Sequence, residues 1–138
     1  TTELDLFDLI NVDAAASEST FAKYAWGIEG TIIKHQGNAF DRINETAKTL
    51  NQPLKACHVH SSDIFYRKDA GTPVVAVENN CQAVEMEAFS LFANAKHLGK
   101  TAGTFLTVSD IIPTHRFISA EEREKALLPM MKLALEAV

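Results

Sequence analysis

Residues Val84 to Asp110 read VEMEAFSLFANAKHLGKTAGTFLTVSD, and the spacing of their apolar residues decides the fold class. From Glu87 onward Ala88, Leu91, Phe92 and Ala95 recur at helical spacing, which predicts a helix with one buried face. Gly99 stands where that helix should end, because glycine takes the left-handed terminal conformation without a steric penalty. Thr101 to Val108 (TAGTFLTV) then reads as a β-type run. Glu85 and Glu87 flank Met86 immediately before the helix, where the helix dipole favours acids. The same place, a strand end, is where α/β folds bind ligands. Thr107-Val108-Ser109-Asp110 closes the next β-run in the same way. Two acidic strand ends lying side by side would form a pocket.

Working outward, the flanking segments alternate in type. Asp5 to Ala16 (DLFDLINVDAAA) reads as a strand running into a loop, and Ser17 to Gly37 as irregular chain or short strands with a turn at Gly27-x-x-Gly30. Asn38 can cap a helix that carries Asp41 in its first turn and Phe40, Ile43, Ala47 and Leu50 at helical spacing. Asn51-Gln52-Pro53 stops it. Leu54 to His60 (LKACHVH) is a strand with Leu54, Ala56 and, less cleanly, His58 and His60 on one side. Ser61 to Gly71 reads as loop, and Val74 to Val77 as a strand by composition. Ser119 and Glu122 make a capping box for a final helix with Leu127, Met130, Met131, Ala134 and Val138 at helical spacing. Pro129 inside it should kink or split it. Strands alternating with helices argue an α/β layer fold, and the length suits a single domain over residues 1–138.

Composition narrows the functional classes. Of the 138 residues 46% are apolar and 22% charged, which excludes a disordered, collagen-like or coiled-coil chain. The net charge is −5 and the basic residues are scattered, so there is no nucleic-acid footprint. Uncharged apolar stretches fall far short of the ~20 residues a membrane span needs. The opening residues carry acids and no base, the opposite of a signal peptide. Cys57 and Cys81 are too few for a disulfide framework, so a soluble, cytoplasmic domain is expected. His58 and His60, two apart on a strand, raise a metal site, but spacing does not select further ligands among Cys57, Asp63, Cys81 and His97. Two partly exposed strand-end histidines are the favoured account. The common phosphate-cradling glycine loops and the G-x-S-x-G elbow are absent.

The segment AVEMEAFSLFANAKHLGKTAGTFLTVSD, followed by PTH and SAEER, resembles the bacterial purine nucleoside phosphorylases. The resemblance extends back through SSDIFY to the opening strand and so covers essentially the whole chain. It implies the C-terminal portion of a three-layer α/β/α sandwich with a mixed sheet, truncated at the N-terminus. A sheet left short exposes an edge that invites pairing, and the resemblance implies a homo-oligomer, at least a dimer. By the same resemblance Met86 and Glu87 form the ribose site, with Glu87 accepting hydrogen bonds from ribose hydroxyls and Glu85 lining the nucleoside. Phe65 matches the aromatic against the base, with Tyr66 beside it. Asp110, preceded by Ser109, matches the acid at N7 of the purine, and Arg123 the arginine that closes on it.

The implied reaction converts a purine nucleoside and phosphate to base and ribose 1-phosphate, with phosphate as co-substrate and neither metal nor cofactor. In that family phosphate is held by a glycine-rich loop with an arginine and by an arginine of an R-x-G-S-x-G segment. Neither is among these residues: the arginines are Arg42, Arg67, Arg116 and Arg123, none in such a motif. The chain is therefore expected to begin after those segments and, by itself, to fall short of family-like phosphorolysis. Pro113, Arg116 and Pro129 also depart from the family pattern. One alternative is a nucleosidase that uses water, against which the Ser109-Asp110 to Arg123 arrangement speaks. Another is a non-catalytic nucleoside-binding relic.

Overall fold

Strand β1 (Leu9–Ala16) is the axis of the molecule and, apart from the half-buried Asp13, it is wholly buried. In the computed structural model, which describes residues 1–69 and 71–137, β1 pairs in parallel with β3 (Lys55–Ser61) along its length. On its other side it pairs antiparallel with β5 (Phe105–Thr107) at its start and with β2 (Ile32–Lys34) at its finish. Strand β4 (Ala83–Glu85) adds in parallel to β3 and ends the sheet on that side. The result is a mixed five-stranded sheet.

Alternation along β1 sorts the layers. Ile10 and Val12 join a core cluster with Phe89 and Phe92 of helix α4 (Ala88–Leu98), and with Cys57 and Val59 of β3. The residues that alternate with them face the other way: Leu9 packs in a second cluster, and the Asn11 amide donates to the Phe40 carbonyl at 2.9 Å. Phe40 lies in helix α2 (Ala39–Thr49), whose Ile43 and Ala47 join Leu133 of the final helix α5 (Ala120–Glu136) in the second cluster. Helices thus cover both sheet faces, the α/β/α layering expected from the sequence. A register shift between Val12 and Ala14 makes Asp13 an extra residue, so that Val12 and Ala15, three apart, enter the same cluster.

Helix α1 (Phe21–Trp26) closes on Gly27 in the left-handed conformation and lies on α4. There the Trp26 ring stacks on His97 with centroids 3.9 Å apart, and its indole N–H donates to Asn94 at 2.7 Å. Gly37 also has a positive φ of 66°, and a Cβ there would run into Thr101, next to the Gln36–Ala102 bridge.

Several expectations are corrected. Ala14 to Ala16 belong to the strand rather than a loop, because burial between β2 and β3 suits small side chains. Ser17 to Gly37 holds α1 as well as β2, a helix of six residues that is too short to show a period. Val74 to Val77 is helical, in α3 (Val74–Glu78), with Pro73 preceding its first turn and only Ala76 buried; tertiary context overrides the β-preference of valine. On α4 the buried face carries Phe89 and Ala93, while Leu91 is exposed. On β3 Ala56 is exposed, whereas His60 is buried. Helix α5 runs through Pro129 without being split, with that residue on the exposed side. Its inward stripe includes Leu133, Met131 points outward, and Val138 lies outside the described residues. The Ser119–Glu122 capping box is present.

Candidate active site

The first group of candidate residues stands where β3 and β4 end. Glu85 closes β4 opposite Ser61. One oxygen of its carboxylate accepts the N–H groups of Glu87 (2.8 Å) and Ala88 (2.7 Å), and the other accepts the Ser61 hydroxyl. The Ser61 oxygen in turn accepts the Phe89 N–H at 2.9 Å. Three donors at the start of α4, which have no partner inside the helix, are thereby satisfied by groups placed before it. The effect is to fix the turn that presents Met86 and Glu87. Both are exposed, and the Glu87 carboxylate has no partner among the described residues. Glu85 therefore serves as an anchor for the turn, while the acceptors of Glu87 stay unengaged among the described residues. Beyond β3, Phe65 and Tyr66 project from the loop, 75% and 88% exposed, with their rings edge to face at 4.9 Å.

The second group follows β5. The Ser109 hydroxyl donates to the Asp110 carboxylate, and Asp110 opens a small hairpin of β6 (Asp110–Ile111) and β7 (Arg116–Phe117). The hairpin delivers the chain to α5, whose capping box joins Ser119 and Glu122 by bonds of 3.2 and 2.8 Å. One residue on, Arg123 places a guanidinium nitrogen 4.0 Å from the Asp110 carboxylate. Both side chains are about half exposed, so the pair contributes little to folding.

The two acidic strand ends are not side by side. Strand β5 runs antiparallel to β1, with Thr107 opposite Leu9, so Ser109 and Asp110 leave the sheet where β1 begins. Ala16 lies opposite His60, and Ser61 opposite Glu85, at the end where β1 finishes. No hydrogen bond or ion pair among the described residues joins the two groups. The sequence shows that both β-runs end in acids; it does not show their relative direction.

The two histidines of β3 turn to different partners. His58 meets Asp13 (3.2 Å) and the Asn79 carbonyl (2.9 Å), and His60 meets Glu18 (2.6 Å). Among the described residues no group of three or more His, Cys, Asp or Glu is gathered for a metal ion. Burial pushes the thiol of Cys57 up, and that of Cys81 to about 11, which leaves both poor nucleophiles. All four arginines are engaged: Arg42 with the Ala137 carbonyl, Arg67 with Glu18, Arg116 with Asp5 and Arg123 with Asp110.

Sequence reasoning missed the Ser61 bridge and the Glu18–His60–Arg67 cluster. The serine pair after β3 was a usable signal for the first; nothing local marks the second, whose members are 42 and 49 residues apart. Burial alone would raise the Glu18 carboxyl, but hydrogen bonds from His60 and Arg67 outweigh it and hold the group at about 2, against an ordinary 4.5. A value lower in the folded state means that the stabilisation is complete above about pH 4.5 and is lost as the pH falls toward 2. Limited proteolysis of residues 62–73 is therefore expected to accelerate across that window, and a Glu18→Gln variant to show no such step.

No protein-family model matches the chain. Solved structures share its fold: purine nucleoside phosphorylase from Toxoplasma gondii in complex with immucillin-H superposes with a TM-score of 0.82 at 16% identity, over 99% of this chain and 56% of that one. The Plasmodium knowlesi homologue of the P. falciparum enzyme superposes with a TM-score of 0.79 at 20% identity. The fold is that of the nucleoside phosphorylases. Sequence narrows it further. The DeoD-type purine nucleoside phosphorylases of Mycoplasma genitalium and Mycoplasma pneumoniae are 39% and 38% identical over 137 and 136 residues, 97% and 96% of this chain. The chain belongs to this family and spans 57% of the length of these relatives.

Proposed function

We propose that the chain serves phosphorolysis of purine nucleosides, yielding base and ribose 1-phosphate, with phosphate as co-substrate and no cofactor. The observation that carries this reading is the fixed turn at the start of α4, which presents Glu87 with an unengaged carboxylate, in a chain of this sequence family. In the proposed roles Glu87 accepts hydrogen bonds from ribose hydroxyls beside Met86, while Phe65 and Tyr66 meet the base. Asp110, with Ser109 and Arg123, is proposed to hydrogen-bond or protonate N7. Because it leaves the sheet at the opposite end of β1 from Glu87, the two groups meet one nucleoside only across two copies of the chain. Cleavage of the N-glycosidic bond builds positive charge on the sugar and negative charge on the leaving purine. A carboxylate near the sugar and an acid at the base answer both.

Phosphate needs cationic or backbone donors beneath the sugar, and each arginine of the chain already has a partner. Nucleoside binding without fast turnover is therefore expected of these 138 residues. We further propose a cytoplasmic homo-oligomer. Among the described residues no helix is long and apolar enough to cross a membrane, and β4 pairs only with β3, which leaves a sheet edge without a partner strand.

The test is titration calorimetry with inosine and adenosine, followed by product analysis in the presence of phosphate. Glu87→Ala is expected to weaken binding by about 10- to 100-fold, the scale of a hydrogen bond to a charged group, with an unchanged circular dichroism spectrum. Equal affinity in parent and variant would remove Glu87 from the ribose site. Free ribose in place of ribose 1-phosphate would turn the assignment to a nucleosidase.

A further inference from the structure

The loop that carries Phe65 and Tyr66 leaves β3 at Ser62 and is held to the body of the protein at few points. At its start the Ser62 N–H donates to the Glu85 carbonyl at 2.8 Å, and the Ser62 hydroxyl closes a local turn with Ile64. Past the aromatic pair, the anchor is Arg67, one residue after Tyr66, whose guanidinium donates to a carboxylate oxygen of Glu18 at 3.0 Å. Asp69 lies 3.7 Å from the same guanidinium, within the loop itself.

Glu18 follows β1, and its second oxygen is 2.6 Å from Nε2 of His60. A carboxylate only accepts hydrogen bonds, so that nitrogen carries the proton. His60 is 3% exposed and sits in β3 opposite Ala16, so its ring is fixed by the sheet. One carboxylate therefore joins a buried ring of the sheet to the loop's guanidinium, with each oxygen given to a different partner. Charge-assisted bonds of this kind are directional and about twice as strong as neutral ones. A further fastening lies just before it: the buried Ser17 hydroxyl donates to the Ser61 carbonyl at 2.6 Å and accepts the Ser19 N–H at 3.1 Å. The chain on either side of Glu18 is thus tied to the end of β3.

We propose that Glu18 is a positioning residue for the base site, holding the loop through Arg67 so that Phe65 and Tyr66 are ordered before a purine arrives. This rests on the reading that the aromatic pair meets the base. Glu18 does not itself touch the nucleoside. Without it the loop is ordered only on binding, and affinity falls by what that ordering costs.

Hydrogen–deuterium exchange and calorimetry on the 138-residue chain test the two parts separately. Glu18→Gln and Arg67→Gln are each expected to speed exchange across residues 62–73 while α4 exchanges as before. Each should weaken inosine binding about tenfold, the scale set by ordering one or two side chains. The double variant should lose no more than either single one, and Arg67→Lys should recover part of the loss. Arg67→Gln leaves the His60–Glu18 contact intact and so keeps the test valid if Glu18→Gln misfolds. Phe65→Ala examines the underlying site assignment: unchanged affinity in that variant, or no binding by the parent, removes the pair from the base site while the exchange data still decide the anchor. Unchanged exchange across the loop in Arg67→Gln overturns the anchor. Faster exchange with undiminished affinity, in a protein that Phe65→Ala cripples, overturns the positioning role.

Discussion

Phe92→Ala is expected to destabilise the fold by about 3–5 kcal/mol, the usual range for removing a buried aromatic ring. Phe92 is fully buried and shares its cluster with Val12, Val59, Ala88 and Phe89. Its loss removes apolar contact and leaves a void between α4 and the sheet. Strands β1 and β3 are held at fixed spacing by their ladder and cannot close it. A domain typically holds only 5–15 kcal/mol in total, so the change is a large fraction of the whole. Urea denaturation should show a lower midpoint with an unchanged slope. Leu91→Ala, on the exposed side of the same helix, is expected to fall within about 0.5 kcal/mol of the parent. Equal losses at the two positions would mean that α4 seats on the sheet by another face.

Asp110→Asn is expected to slow whatever purine release the chain supports by about 10²–10⁴-fold, the range for loss of a general acid. Asparagine keeps the shape and a hydrogen bond to N7 but has no acidic proton to deliver. A nucleoside methylated at N7 supplies an internal control. Its base already carries the positive charge that protonation would create, so its release should be almost unaffected by the substitution. Arg123→Ala should add little to Asp110→Asn, because groups that act as a unit are non-additive. Multiplying effects would give Arg123 a separate task, and an equal slowing of the methylated substrate would remove Asp110 from acid catalysis.

How much of this was legible in the sequence varies with the range of the interaction. Helix α4 is readable because its apolar spacing, its acidic start and Gly99 all agree: Ala88, Phe92 and Ala95 are buried as expected, and only Leu91 gives way to Phe89 and Ala93 on that face. The capping box of α5 is purely local and was found. Ala14 to Ala16 were misread because small residues carry little strand signal, and their place in β1 is decided by two neighbouring strands. Val74 to Val77 was misread because four residues cannot display a period. Within the candidate site, the acids at both strand ends were visible as acids. That Glu85 anchors a turn while Glu87 stays free depends on Ser61, 24 residues earlier, and on the strand direction. The Glu18–His60–Arg67 cluster is wholly non-local and left no mark that a single sequence can reveal.

Trp26 is the only tryptophan of the chain, and its stack on His97 and bond to Asn94 place it at the seam between α1 and α4. Neither candidate group of site residues contains one. The protein thus carries a built-in optical reporter. Selective excitation of the indole follows the docking of two helices rather than events at the nucleoside residues. Its emission can therefore separate a variant that loosens the α1–α4 seam from one that only disturbs the aromatic loop.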